Sequence, residues 1–248
     1  MIALNKIASQ PIDAHKVVSS WKHLVGLELI EAVVGFGRGL RVGVTSSFGA
    51  ESAMLLDLVA QVDAATPVIF VDTGRLFTET LNYRDRLVDH FGLMDVRTLK
   101  APDQLIQNMD TDGKLFETEP DACCQVRKVM PYSLALSEFD VLIGGRKRHH
   151  GYIRAQIDTA EVASPHIKVN PLAPYTPEDI EAAFVARNLP RHPLVEQGYS
   201  SIGCAPCTHK SCLTQGARSG RWSGKEKTEC GIHMHEKLVF ESLDGSNL

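Results

Sequence analysis

Six cysteines stand as Cys123-Cys124, Cys204-Ala-Pro-Cys207, Cys212 and Cys230, the last within Glu229-Cys230-Gly231-Ile232-His233. Four thiols in two close pairs suffice to hold one inorganic centre. Adjacent cysteines fit a single tetrahedral Zn²⁺ poorly, because neighbouring side chains on a helix point ~100° apart. An iron–sulfur centre, bound through separate iron atoms, tolerates that divergence better and is favoured over zinc. The Cys123-Cys124 pair falls at an expected helix N-terminus, whose dipole favours an anionic centre, and Arg127 and Lys128 one turn on can offset its charge. Cys230, with Lys225 and Lys227 upstream and His233 and His235 downstream, has the setting of a nucleophilic thiolate held by nearby positive groups. The plainer alternatives are a zinc-binding Cys/His tail or an inert thiol. Cys212 receives no role.

Three loops carry the residue types that bind anions. Thr45-Ser46-Ser47-Phe48-Gly49 follows an expected strand and opens a helix, so Ser46 and Ser47 offer hydroxyls and Gly49 a close backbone approach. At the end of the next strand, Asp72 and Thr73 can meet a ribose or base, with Gly74 and Arg75 in the same turn. Gly144-Gly145-Arg146-Lys147 ends a further strand, and Arg154 follows it. Two glycines ahead of basic residues at a strand end fit a loop that wraps a multiply charged small anion. Arg218 and Arg221 are further candidates to hold an anionic group opposite Cys230. Together these residues point to an adenine nucleotide or a similar anionic metabolite.

The elements that must position them read as α/β. Short apolar runs at Leu40–Val44, Val68–Val71, Asp95–Thr98, Val141–Ile143 and Ile167–Val169 alternate with helix-period segments, which predicts a doubly wound parallel sheet. Leu55, Leu58, Val59 and Val62 form one helical stripe. Thr78 is expected to cap a second helix carrying Phe77, Leu81, Val88 and Phe91. A third should begin near Ala122, bury Val126, Val129, Met130 and Leu134, and kink at Pro131. Thr176-Pro177-Glu178-Asp179 reads as a helix start. Residues 1–35 are expected to be a helical lead-in, 36–189 the nucleotide-binding unit, and 190–248 an irregular C-terminal segment of the same unit.

Composition narrows the function classes. The chain has 248 residues, 44% hydrophobic and 23% charged, with a formal net charge of −4. That balance argues against broad nucleic-acid binding, and no apolar stretch has the length to cross a bilayer. The N-terminus lacks a secretory pattern, so the expected setting is cytoplasmic, where cysteine clusters serve metals or catalysis rather than disulfides.

Taken together, the Ser-Ser-Phe-Gly-Ala-Glu loop, Val-Asp-Thr-Gly-Arg, Cys-Cys-Gln-Val-Arg-Lys, Gly-Tyr-Ser-Ser-Ile-Gly-Cys-Ala-Pro-Cys-Thr and Glu-Cys-Gly-Ile-His resemble the iron–sulfur adenylyl-sulfate (APS) reductases of the assimilatory sulfonucleotide reductase family. The resemblance implies an adenine-nucleotide alpha-hydrolase-like sheet and a [4Fe-4S] cluster on Cys123, Cys124, Cys204 and Cys207. It implies that Cys230 attacks the sulfur of adenylyl sulfate, with His233 as a thiolate stabiliser and Lys128 linking cluster and substrate. AMP then leaves, and reduced thioredoxin or a glutaredoxin-like protein releases sulfite from the S-sulfocysteine. Few residues follow Cys230, so the electron donor is expected to be a separate protein. A homo-oligomer is compatible with the sequence and not required by it. Reduction of the 3′-phosphorylated nucleotide (PAPS) is the alternative, although enzymes restricted to it usually lack both cysteine pairs. A tRNA-thiolating pyrophosphatase is disfavoured, because Ser47-Phe48-Gly49-Ala50-Glu51-Ser52 departs from the Ser-Gly-Gly-x-Asp-Ser phosphate loop such enzymes need.

Overall fold

The computed structural model describes residues 13–36, 39–212, 216, 218–227, 229 and 231–232. Strands β1 (Val42–Thr45), β2 (Val68–Val71), β3 (Val96–Leu99), β4 (Val141–Gly144), β5 (Ala160–Ala163) and β6 (His166–Val169) form one sheet in the order β3-β2-β1-β4-β6-β5. All neighbours are parallel except β5, which runs antiparallel to β6. The chain lays down β2 and β3 on one side of β1 and then crosses to build β4, β6 and β5 on the other. The order therefore reverses between β1 and β4, which is where a doubly wound sheet leaves a crevice beyond its strand ends. Val44, Val68, Ile69, Phe70, Val141, Leu142 and Ile143 are buried, as central strands covered on both faces require.

Helix α1 (Ala14–Trp21) is capped by the Asp13 carboxylate, and α2 (Gly26–Phe36) packs on α3 (Ser52–Asp63). In α3 the expected stripe is buried at Leu55, Leu58 and Val59, with Ala53, Met54 and Leu56 added. Helix α4 (Thr78–Phe91) departs from expectation at its start: Thr78 is the first helical residue, and the cap position is Phe77, which makes no side-chain cap. Its deepest residues are Thr80, Tyr83 and Leu87, a stripe hidden from a hydrophobic reading because two of its members are polar. Both are satisfied, Tyr83 donating its hydroxyl to Pro190 O at 2.7 Å and Thr80 pairing with His192 at 3.0 Å.

Past the short helices α5 (Asp103–Met109) and α6 (Leu115–Thr118), the cysteine-bearing helix starts at Pro120 rather than Ala122. It runs as α7 (Pro120–Cys124), a π-helical turn Gln125–Val129, and α8 (Met130–Leu136). The wider turn replaces the expected kink just ahead of Pro131, whose ring nitrogen cannot donate. It also rotates the face that follows. Val126 and Val129 are buried as expected, but Tyr132 and Leu136 take the inner positions while Met130 and Leu134 are exposed. Helix α9 (Pro177–Ala186) has the expected Thr176 cap with Pro177 in the first turn, and Asp179 completes a capping box. Among the described residues no helix is long and apolar enough to cross a membrane.

Candidate active site

A cleft opens over the C-terminal ends of β1 and β4, at the switch point. Its floor is Thr45, Ser46, Ser47 and Gly49 after β1 and Gly144, Gly145, Arg146 and Lys147 after β4. Ser46 Oγ accepts the Phe48 N–H at 3.2 Å, which helps hold the loop, and Phe48 adopts φ 48° with its ring buried edge-on against Phe70. A side chain at Gly49 would meet the Ile202 carbonyl, its Cβ 3.3 Å away. The glycine thus lets the 200–203 backbone close over the loop, and Ser200, Ser201, Ile202 and Gly203 form the opposite wall. Arg146 lines the cleft while its guanidinium is held by Glu161 at 2.7 Å and Asn170 at 3.0 Å.

One charge cluster is built into the floor. Lys147 is 3% exposed and places its ammonium 2.7 Å from Glu51 and 3.1 Å from the Gly145 carbonyl. Arg154 faces His150 Nδ1 at 3.3 Å, and a guanidinium only donates, so His150 carries its proton on Nε2 and gives it to Glu51 at 3.2 Å. His149 donates from Nδ1 to the Tyr175 carbonyl at 2.9 Å. Burial raises the Glu51 carboxyl pKa, but the His150 hydrogen bond and the Lys147 charge outweigh it and hold that pKa well below the usual range. Burial lowers Lys147 and His150, with Glu51 opposing. Glu51, His149 and His150 bring ligand atoms within 4.8 Å of one another. The lysine already occupies the carboxylate and His150 aims a proton at it, so the trio is a charge cluster rather than a cation site.

The second half of the site gathers the cysteines. Cys204 caps the 3₁₀ turn Ala205–Cys207 and bridges to Leu76, while the Ala205 N–H donates to Arg75 O at 2.7 Å. Thr73 Oγ1 lies 3.2 Å from Cys204 Sγ, and its carbonyl accepts from Arg127 at 3.1 Å. Arg127 also pairs at 2.6 Å with the buried carboxylate of Asp110. The loop after β2 therefore ties the helix of Cys123 and Cys124 to the turn of Cys204 and Cys207. Of Asp72, Thr73, Gly74 and Arg75, expected at the ligand, none is among the residues lining the cleft, although the flanking Val71 and Leu76 are. Asp72 is engaged by the Gly74 N–H and by Lys100 at 2.9 Å, and Arg75 by Gly113 O at 2.7 Å. The Cys123 N–H is likewise not left for an anion, since Glu119 O accepts it at 3.0 Å.

Burial and then the charges of Cys124, Cys204 and Cys207 push the Cys123 thiol up to about 11, with Arg127 opposing. Burial and Cys204 raise Cys207, against the charges of Arg221, Lys128 and Lys225. The four sulfurs thus sense one another, yet no three of these described thiols come within 4.8 Å. A single tetrahedral Zn²⁺ needs sulfurs only about 3.8 Å apart. The donor set fits a larger, multi-iron centre bound by Cys123, Cys124, Cys204 and Cys207. Lys128 lines the cleft and lies near enough to Cys207 to act on it electrostatically. Cys212 is exposed.

The C-terminal segment closes the remaining side. Trp222 is buried, and the Arg221 guanidinium lies 4.4 Å from its ring centroid, its Nε buried and without a hydrogen-bond partner among the described residues. Lys225 donates to the carbonyls of Phe116 and Glu117, and Lys227 pairs with Asp121, which lashes the segment to α6 and to the cysteine-bearing helix. Arg154, Arg218, Arg221, Glu229 and Ile232 all line the cleft. Cys230 and His233 lie outside the described residues.

Residues 41–210 match the model of the phosphoadenosine phosphosulfate reductase domain. The chain belongs to this family. Among curated relatives, an adenosine 5′-phosphosulfate reductase of Mesorhizobium japonicum is 43% identical over 86% of this chain and 84% of that protein. One from Chelativorans sp. is 40% identical over 94% and 96%. The fold is similar to a crystal structure of phosphoadenylyl-sulfate reductase from Candida auris, in its phosphate complex, at TM-score 0.65 and 20% identity, covering 81% of this chain and 100% of that one. Within the family's matched span, the reading of loops missed Glu51 and the Ser200–Gly203 wall. Both stood inside motifs already singled out, but a carboxylate and a plain Ser-Ser-Ile-Gly run carry no anion-binding signal of their own.

Proposed function

We propose that the chain reduces adenylyl sulfate to sulfite and AMP, with Cys230 as nucleophile and a separate dithiol protein of the thioredoxin or glutaredoxin type as reductant. The observation that carries this reading is the placement of Lys128. It lines the cleft and acts electrostatically on Cys207, while Glu229 and Ile232, which flank position 230, line the same cleft.

Ser46, Ser47 and the 144–147 loop would receive the nucleotide's phosphate end at the switch point. Lys128 and Arg221, whose Nε has no partner among the described residues, would face the sulfate oxygens and the charge that grows on the leaving phosphate. The Cys230 thiolate forms a bond to sulfur as the sulfur–oxygen bond to AMP breaks, and AMP departs with that electron pair. A thiolate of the reductant then attacks Cys230 Sγ, and sulfite leaves with the electrons of the sulfur–sulfur bond. The reductant's second thiol closes its disulfide and regenerates Cys230, so two electrons enter from the dithiol. A bound [4Fe-4S] cluster on Cys123, Cys124, Cys204 and Cys207 would supply a fixed charge beside Lys128 that tunes the field in the cleft.

The reading is tested by sulfite release from adenylyl sulfate and from its 3′-phosphorylated form, measured with a dithiol reductant on anaerobically purified protein. Preference for the unphosphorylated nucleotide and about four iron and four sulfide per chain support it. Cys230→Ser is expected to abolish sulfite release and keep the visible absorbance. Bleaching by that variant, or turnover of neither nucleotide by the wild-type protein, contradicts the reading.

A further inference from the structure

Among the described residues that line the cleft the carboxylates are Glu51 and Glu229, and Glu229 is buried with a side chain 1% exposed. Arg154 grips it with both arms of its guanidinium, Nε to Oε1 at 2.6 Å and the terminal nitrogen to Oε2 at 2.9 Å. Arg218 adds a second contact at 3.4 Å, and Arg221 lies close enough to act on it electrostatically. Arg154 reaches at the same time to His150, and through it to Glu51 at the N-terminus of α3. A continuous polar chain therefore runs from the strand-to-helix joint after β1 into the segment that carries position 230. Burial raises the Glu229 pKa, but the Arg154 hydrogen bonds and the charges of Arg154, Arg218 and Arg221 outweigh it, so the group is a carboxylate.

Two physical consequences follow from that placement. A bidentate arginine–carboxylate pair fixes direction as well as distance, so it holds Glu229 itself in a set place relative to Arg154. A negative charge in an anion-binding cleft also works against an anionic ligand, so substrate affinity alone gives no reason for its presence.

We propose that Glu229 is a positioning residue for the reaction: it docks the segment bearing the nucleophile onto Arg154 and Arg218, so that the arginines bordering the cleft also hold the attacking group in place. This rests on the reading of Cys230 as nucleophile. The sequence assigned Arg154 and Arg218 to the anion alone; the geometry adds a second, intramolecular partner for both.

The experiment compares wild type, Glu229→Gln and Glu229→Asp as cluster-loaded proteins, by steady-state kinetics, equilibrium binding of AMP, and the iodoacetamide labelling rate of Cys230 followed by peptide mass mapping. Glu229→Gln keeps size and hydrogen-bonding capacity but removes the charge. It should lower kcat by about a hundredfold, the scale of a small misplacement of a reacting group, while AMP binds equally or severalfold more tightly. Labelling of Cys230 should be about tenfold faster than in wild type, a further sign of lost docking. Glu229→Asp, which restores charge with a shorter reach, should recover part of kcat. Turnover of Glu229→Gln within threefold of wild type, or AMP affinity that falls in step with thermal stability, overturns the proposal. Should the wild-type protein release no sulfite at all, the reading of the reaction fails; unchanged Cys230 labelling in Glu229→Gln would separately defeat the docking role.

Discussion

Two carboxylates, Glu51 half-buried and Glu229 buried, face the same cleft in different settings. Glu51 sits where β1 passes into α3, held by Lys147 and His150 from the loop after β4, so its partners hang on the joints of the sheet. Glu229 sits in the C-terminal segment, and its partners are Arg154, at the end of a short 3₁₀ turn, and Arg218, which lies outside helices and strands. The first cluster is part of the frame: its cation is 3% exposed and would be stranded without it. The second joins a segment to that frame. The same chemistry, an anion among cations, thus serves rigidity at one wall and placement at the other.

Removing the charge at Glu51 is the strongest way to break this comparison. Glu51→Gln leaves the Lys147 ammonium buried and uncompensated, which is expected to cost about 3–5 kcal/mol of stability, measurable by urea unfolding. If Glu51→Gln unfolds like wild type while Glu229→Gln is the destabilised protein, the roles of the two carboxylates are reversed.

Acid sharpens the contrast. The Glu51 and Glu229 pKa values are both held down in the folded protein, so their contributions are complete above the ordinary carboxylate range and fade only as pH falls through the lowered values. His192 titrates earlier. It is fully buried between Thr80 and the Leu194 N–H, which donates to Nδ1 at 3.2 Å, so the ring is neutral with its proton on Nε2. Burial lowers its pKa to about 4, with Glu79 opposing. The unfolded chain takes up this proton near pH 6.5 and the folded one only near 4, so stability should be full above pH 6.5 and fall by up to about 3 kcal/mol across that window. Because His192 and Tyr83 anchor the start of the C-terminal segment on α4, the loss should be absent in a His192→Gln background.

The smallest effect belongs to the rim. Arg146 keeps its contact with Asn170 when Glu161 is neutralised, and Glu161 is a partly exposed partner. Glu161→Gln should therefore change stability by no more than about 1 kcal/mol in a thermal melt. A larger loss would place this pair with the frame.

Much of this arrangement was legible in the residues. Five strands, the α3 stripe, the Thr176 cap and the glycine-rich loop after β4 follow from local pattern, because apolar periodicity and turn chemistry act over a few residues. Strand β5 escaped notice: Ala160–Ala163 holds only one large apolar residue and pairs with a single neighbour at the sheet edge. The cysteine quartet was visible as chemistry, but not what assembles it. The Thr73 bridge between Cys204 and Arg127 joins three distant segments, and such contacts leave no mark on spacing. For the same reason the bracing contacts of the loop after β2 could not be read from its spacing.

The account rests on a Cys230 thiol that would accept the sulfonate while Cys123, Cys124, Cys204 and Cys207 hold the iron. The most direct measurement is intact and peptide mass spectrometry of the cluster-loaded protein after incubation with adenylyl sulfate and no reductant. The account predicts the added mass of one sulfite group on Cys230, removed by a dithiol with release of sulfite. No adduct, or an adduct on Cys123, Cys124, Cys204 or Cys207, would contradict it.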